Sequence, residues 1–119
     1  MNYKMGDIIF ASEAIKRNEN DSVKSHLFVL IDDDGNVVPA DYFGFVVSSN
    51  LDKSNKNSPY KYNEEIKRNN NNNLMVDSIV KCDQLMQIPR GNINKKIGEV
   101  DEEDLMRFLS AFEDSTKEN

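Results

Sequence analysis

Five side chains in this 119-residue chain could carry acid–base or phosphoryl chemistry: His26, Ser48, Ser49, Lys81 and Asp83. His26 is the only imidazole, a group that titrates at about pH 6.5. It opens the apolar run His26 to Ile31, so it reads either as a half-buried polar residue at a strand edge or as an acid or base. Lys81 and Asp83 flank Cys82 on a predicted strand, where residues two apart share one face. They read as a surface ion pair or, in a cleft, as an acid and a base. Cys82 points the other way and reads as a core residue. Ser48 and Ser49 end another apolar run, as turn hydroxyls or as donors to a ligand.

Much other chemistry is excluded. A single cysteine rules out an intrachain disulfide or a cysteine-cluster zinc site, and a single histidine rules out a histidine-rich metal site. The five glycines are scattered singly, so there is no glycine-rich phosphate loop. No nucleophile elbow or His-Glu-x-x-His occurs. Asp32 to Asp34 lacks the spaced ligands of a calcium loop and reads as a solvated turn. No metal and no cofactor are expected. No apolar run is long enough to span a membrane, and residues 1–7 lack the apolar stretch of a secretion signal, so a cytoplasmic protein is expected.

The net charge of -6 is unevenly placed. From Glu99 onward stand eight acids against Arg107 and Lys117, leaving residues 1–98 with 13 acids and 13 bases. A neutral body with an acidic end leaves room for a local basic groove without arguing for one.

The elements that must position these side chains are mostly strands. Asp7 to Ala11, His26 to Ile31 and Tyr42 to Val47 are β-branched and aromatic runs, and Asp32 to Asn36 is a turn leading to Val37-Val38. Glu13 to Ser25 lacks apolar periodicity and reads as a loop. Residues 51–73, rich in Asn, Lys and Ser and ending in Asn69 to Asn73, read as a variable and mostly irregular loop. Leu74 to Val76, Ser78 to Val80, and Leu85 to Ile88 resume extended structure, with a turn at Arg90-Gly91. Asp101 is an N-cap candidate for one helix, whose Leu105, Phe108, Leu109 and Phe112 form a single apolar stripe. Residues 113–119 read as a frayed polar tail. The sum is one mainly β domain over residues 1–119, a small barrel or curled sheet with a C-terminal helical cover.

The segment Asp77 to Leu109 (DSIVKCDQLMQI, then KKIGEVDEEDLMRFL) resembles the MazF/PemK family of toxin endoribonucleases, which includes Kid-like toxins. There a strand ends in (Val/Leu)-x-x-(Asp/Glu)-Gln, and Lys-Ile-Gly precedes a helix opened by acids. Gly6 to Ile9, Leu27 to Ile31 and Phe45 to Asn50 are similar to the family's earlier strands in order and spacing. The resemblance implies an SH3-like β-barrel of MazF/PemK/CcdB type, homodimeric, that cleaves single-stranded RNA without a metal. It also implies a cognate antitoxin and no membrane partner.

Carried over by position, the resemblance puts the base at Asp83 and a hydroxyl donor at Ser48. Lys81 and His26 stand where the family has arginines. We expect His26 and Asp83 to form the acid/base pair, with Lys81 stabilising charge on the phosphorane. The RNA-binding positions implied are Ser49, Lys24, Asp77 and Ile79. The competing expectation is a catalytically weakened or inactive member of the fold that binds RNA or protein. The gyrase-poison role found on the same fold uses a C-terminal tryptophan, and this chain has no tryptophan.

Overall fold

The computed structural model describes residues 2–16, 21–49 and 61–117. Its elements are β1 (Asp7–Lys16), β2 (Ser22–Asp33), β3 (Asp41–Ser48), β4 (Asn63–Ile66), β5 (Ser78–Lys81), β6 (Met86–Pro89), β7 (Ile93–Glu99) and α1 (Glu102–Lys117). Every strand pairing is antiparallel. β1 pairs with β2, β2 with β3, β3 with β6, and β6 with β1, so the sheet curls back on itself as a partial ring. β7 lies along β1, and β5 and β4 extend the sheet beyond β3. Fold class is therefore as expected: mainly β with one C-terminal helix.

The central strands are buried on both faces, which is why they read as continuous apolar runs. Ile8, Val29, Ile31, Phe45 and Val47 face α1, whose Phe108 is fully buried among them. Leu105, Leu109 and Phe112 pack around that contact, and the Phe112 and Phe45 ring centroids stand 5.4 Å apart. Ile9, Phe28, Leu30, Val46, Met86 and Ile88 form the core on the other face. Gly44 permits the approach of β3 to β2, since a Cβ there would run into the Val29 carbonyl.

Three local expectations are corrected. Much of the expected loop from Glu13 to Ser25 is strand: β1 continues to Lys16 and pairs with β2, whose Val23 and Ser22 lie opposite Ala14 and Ile15, while residues 17–20 lie outside the described residues. Backbone pairing carries this arm, so the side chains there need no apolar alternation. Leu74 to Val76 is an irregular segment, with Leu74 buried and Met75 exposed. Val37 and Val38 are likewise exposed and outside any strand. β7, polar at Asn94, Lys95 and Lys96, had no apolar signal. The helix runs on through Lys117, where an ion pair to Glu113 and the bond from Thr116 Oγ1 to the Glu113 carbonyl support its last turn.

The asparagine run is a built turn. Asn72 is buried; its Oδ1 accepts from the Asn69 and Leu74 amides, and its Nδ2 donates to the Lys67 carbonyl. Asn69 Oδ1 accepts from the Asn71 and Asn72 amides. Asn71 and Asn69 also donate to the carboxylate of Asp101. The Asp101 carbonyl accepts the Leu105 amide at 2.9 Å, so it starts the helix while its side chain holds the asparagine turn. Residues 51–60 of the expected loop lie outside the described residues. No helix among the described residues is long and apolar enough to cross a membrane.

Candidate active site

β2 presents His26 on the solvent side, opposite Ala11 of β1. Ser25, just before it, has φ of +52°, a left-handed conformation uncommon outside glycine. His26 Nδ1 lies 3.2 Å from the Lys24 carbonyl oxygen. A carbonyl only accepts, so this contact puts the proton on Nδ1 and leaves Nε2 as the nitrogen that can exchange one.

Beside it β3 ends at Ser48, with Ser49 following. Ser48 lies opposite Ile79 of β5. His26, Ser48 and Ser49 line one open groove of about 400 Å³, together with Ser25, Ser78 and the apolar Phe10, Leu27, Val47, Leu74, Met75 and Val76. Ser78 is buried and its hydroxyl donates to the Val76 carbonyl, which holds the irregular segment against β5. A second cleft of about 570 Å³ is lined by Ser49, Arg68, Met75, Val76 and Asp77. Ser49, Met75 and Val76 belong to both, so the two form one continuous trough. It combines an imidazole, hydroxyls, a guanidinium and exposed apolar surface, a set suited to unpaired nucleotides.

The structure brings His26, Ser48, Ser49 and Asp77 onto this trough. Lys24 is exposed on β2 but does not line it; its carbonyl positions His26. Ile79 is corrected as a contact residue, because its side chain is fully buried. Lys81 is half-buried at the end of β5, opposite Asn63, and strand alternation puts it on the same face as Ile79 and Ser48. Asp83 is exposed in the turn after β5. The expectation that Lys81 and Asp83 share a strand face is therefore wrong, since the strand ends at Lys81. Neither lines the groove of His26. Cys82 is fully buried, as expected, although it stands in the turn and not on the strand. Arg68, Met75 and Val76 were missed as site residues: Arg68 lay in a segment read as loop, and the other two were read as strand. Among the described residues no three His, Cys, Asp or Glu side chains stand together as a metal site.

The PemK-like, MazF-like toxin family of type II toxin–antitoxin systems matches residues 4–115. The chain belongs to this family. The match takes in all seven strands and nearly all of α1, so the trough is built wholly from matched residues. PemK/MazF proteins are endoribonucleases, which sets RNA as the substrate class and an antitoxin as the partner class. Among curated proteins, no sequence matches the chain.

Proposed function

We propose that the chain is a metal-independent endoribonuclease toxin, an mRNA interferase acting on single-stranded RNA. In this reading the 2′-hydroxyl attacks the adjacent phosphorus, the P–O5′ bond breaks, and the products are a 2′,3′-cyclic phosphate and a 5′-hydroxyl. The Asp83 carboxylate takes the proton from the 2′-hydroxyl. His26, anchored through Nδ1, gives a proton from Nε2 to the leaving oxygen. Ser48 and Ser49 donate to the phosphoryl oxygens and Lys81 adds positive charge to the phosphorane. Asp77 and Lys24 contact the strand on either side. The protein works in the cytoplasm as a homodimer and is held silent by a cognate antitoxin.

The observation that carries this reading is the shared groove of His26, Ser48 and Ser49, an imidazole and two hydroxyls beside apolar side chains. The part given to Asp83 rests on its place in the family motif. Its position outside that groove favours a second reading, a weakened member that binds RNA or protein. The test is cleavage of a long mixed-sequence single-stranded RNA by purified protein in EDTA, with ends mapped. Discrete cuts with 5′-hydroxyl ends, lost in Asp83→Ala and His26→Ala, support the nuclease. A folded wild type that makes no cuts supports the binding module.

A further inference from the structure

We propose that Arg68 is a phosphodiester-binding residue, which holds the RNA strand where it leaves the His26 groove past Ser49. The proposal rests on the nuclease reading and adds to it a substrate-positioning cation outside the acid/base pair.

Arg68 is exposed two residues beyond β4, on the rim of the cleft that continues the groove. Its place is set at two points. The backbone amide donates to Asp77 Oδ1 at 2.9 Å, and Nη1 donates to the Met75 carbonyl at 3.1 Å. A guanidinium carries five N–H donors in a planar fork, so most remain for a ligand after the Met75 bond. The nearby Asp77 carboxylate is engaged by the Arg68 amide and makes no ion pair with the guanidinium. Lys4, Lys96, Arg107 and Lys117 each sit on a carboxylate, whereas the Arg68 guanidinium pairs with none among the described residues. Arg68 is thus a pre-positioned guanidinium without an acidic partner among the described residues.

The planar fork matches a phosphate oxygen pair, and its charge is permanent at any working pH. Met75 and Val76 expose apolar side chains on the same wall, 86% and 50% accessible, where an adjoining base can lie. The body of the protein, residues 1–98, carries no net charge, so phosphate binding depends on individually placed cations rather than a general field.

The experiment compares wild type, Arg68→Ala and Arg68→Lys on one mixed-sequence single-stranded RNA. It measures cleavage kinetics and binding across a salt series, with thermal melts as the folding control. The expected result for Arg68→Ala is a KM raised about 5- to 20-fold with kcat nearly unchanged, and a log–log salt slope shallower by about 0.7. Arg68→Lys should restore the slope and only part of the KM. Wild type active on RNA, with both variants equal to it in KM and slope, overturns the proposal and leaves the nuclease reading standing. Wild type that neither binds nor cuts RNA overturns both.

Discussion

The His26 ring is tied by Nδ1 to the carbonyl of Lys24, two residues back on its own strand, at 3.2 Å. The left-handed backbone of Ser25 stands between them. One nitrogen serves as an anchor, and only the other can exchange a proton with a substrate. His26→Gln keeps a side-chain amide able to donate to that carbonyl but has no titratable group. It should melt like the wild type while kcat falls ~10²- to 10⁴-fold, as for loss of a general acid. The wild-type pH–rate profile should show a limb that is absent from the variant. A glutamine variant keeping more than a tenth of the activity would remove His26 from proton transfer.

Asn72 is the centre of the asparagine turn, with three bonds to backbone groups and almost no exposure. Asn72→Ala leaves the amides of Asn69 and Leu74 and the Lys67 carbonyl without those partners. The expected cost is about 2–4 kcal/mol in a urea titration. Gly98→Ala should act on the same turn from outside: its Cβ would stand 2.5 Å from the Asn72 carbonyl oxygen and 2.6 Å from that of Asn71. A loss of about 1–3 kcal/mol is expected there. A mobile asparagine loop would leave both variants as stable as the wild type.

What could be read from sequence follows from where side chains, rather than backbone, do the holding. β2 was legible because Phe28 to Ile31 is buried on both faces, and α1 because its apolar residues share one stripe. β7 was not, since an edge strand with Asn94, Lys95 and Lys96 is held mainly by its ladder to β1. Asn69 to Asn73 has the composition of a disordered tract, yet its amides replace backbone partners in a tight turn. The site divides along the same line. His26, Ser48 and Ser49 stand in or at the ends of apolar runs and could be singled out. Arg68 acquires its place only when the turn folds it back onto Met75 and Asp77.

Arg107 fastens α1 to β4. Its guanidinium donates to Glu64 Oε1 at 2.9 Å, to the Glu65 carbonyl at 2.8 Å and to Asp104 Oδ1 at 2.8 Å. Burial works against its charge, but the bonds to Asp104 and Glu64 outweigh this and raise its pKa above the ordinary value. The side chain is 43% exposed, so solvent screening holds the contribution down. Arg107→Ala should cost about 1 kcal/mol, with the deficit shrinking in ~1 M salt. Unchanged stability at low salt would show that apolar packing at Phe108 alone seats the helix.

Asp34 closes the connection between β2 and β3 through its carboxylate. Oδ1 accepts the Asn36 amide at 3.0 Å, while Oδ2 accepts the amides of Ala40 at 2.8 Å and Asp41 at 3.1 Å. The Asn36 amide, with those of Ala40 and Asp41, holds the carboxyl below its ordinary value against a smaller opposing effect of desolvation. A carboxyl with a lowered folded pKa contributes stability that is fully present above the unfolded value of about 3.9. That contribution is lost as pH falls through the folded value. Asp34→Asn puts a donor amide where an acceptor is needed and removes the titration. The variant should be less stable than the wild type at pH 7, and the two unfolding midpoints should converge as the pH falls through the lowered value of the folded carboxyl. A gap that stays constant across the whole titration would mean the asparagine fails for a steric reason, and that the Asp34 charge does not hold the loop.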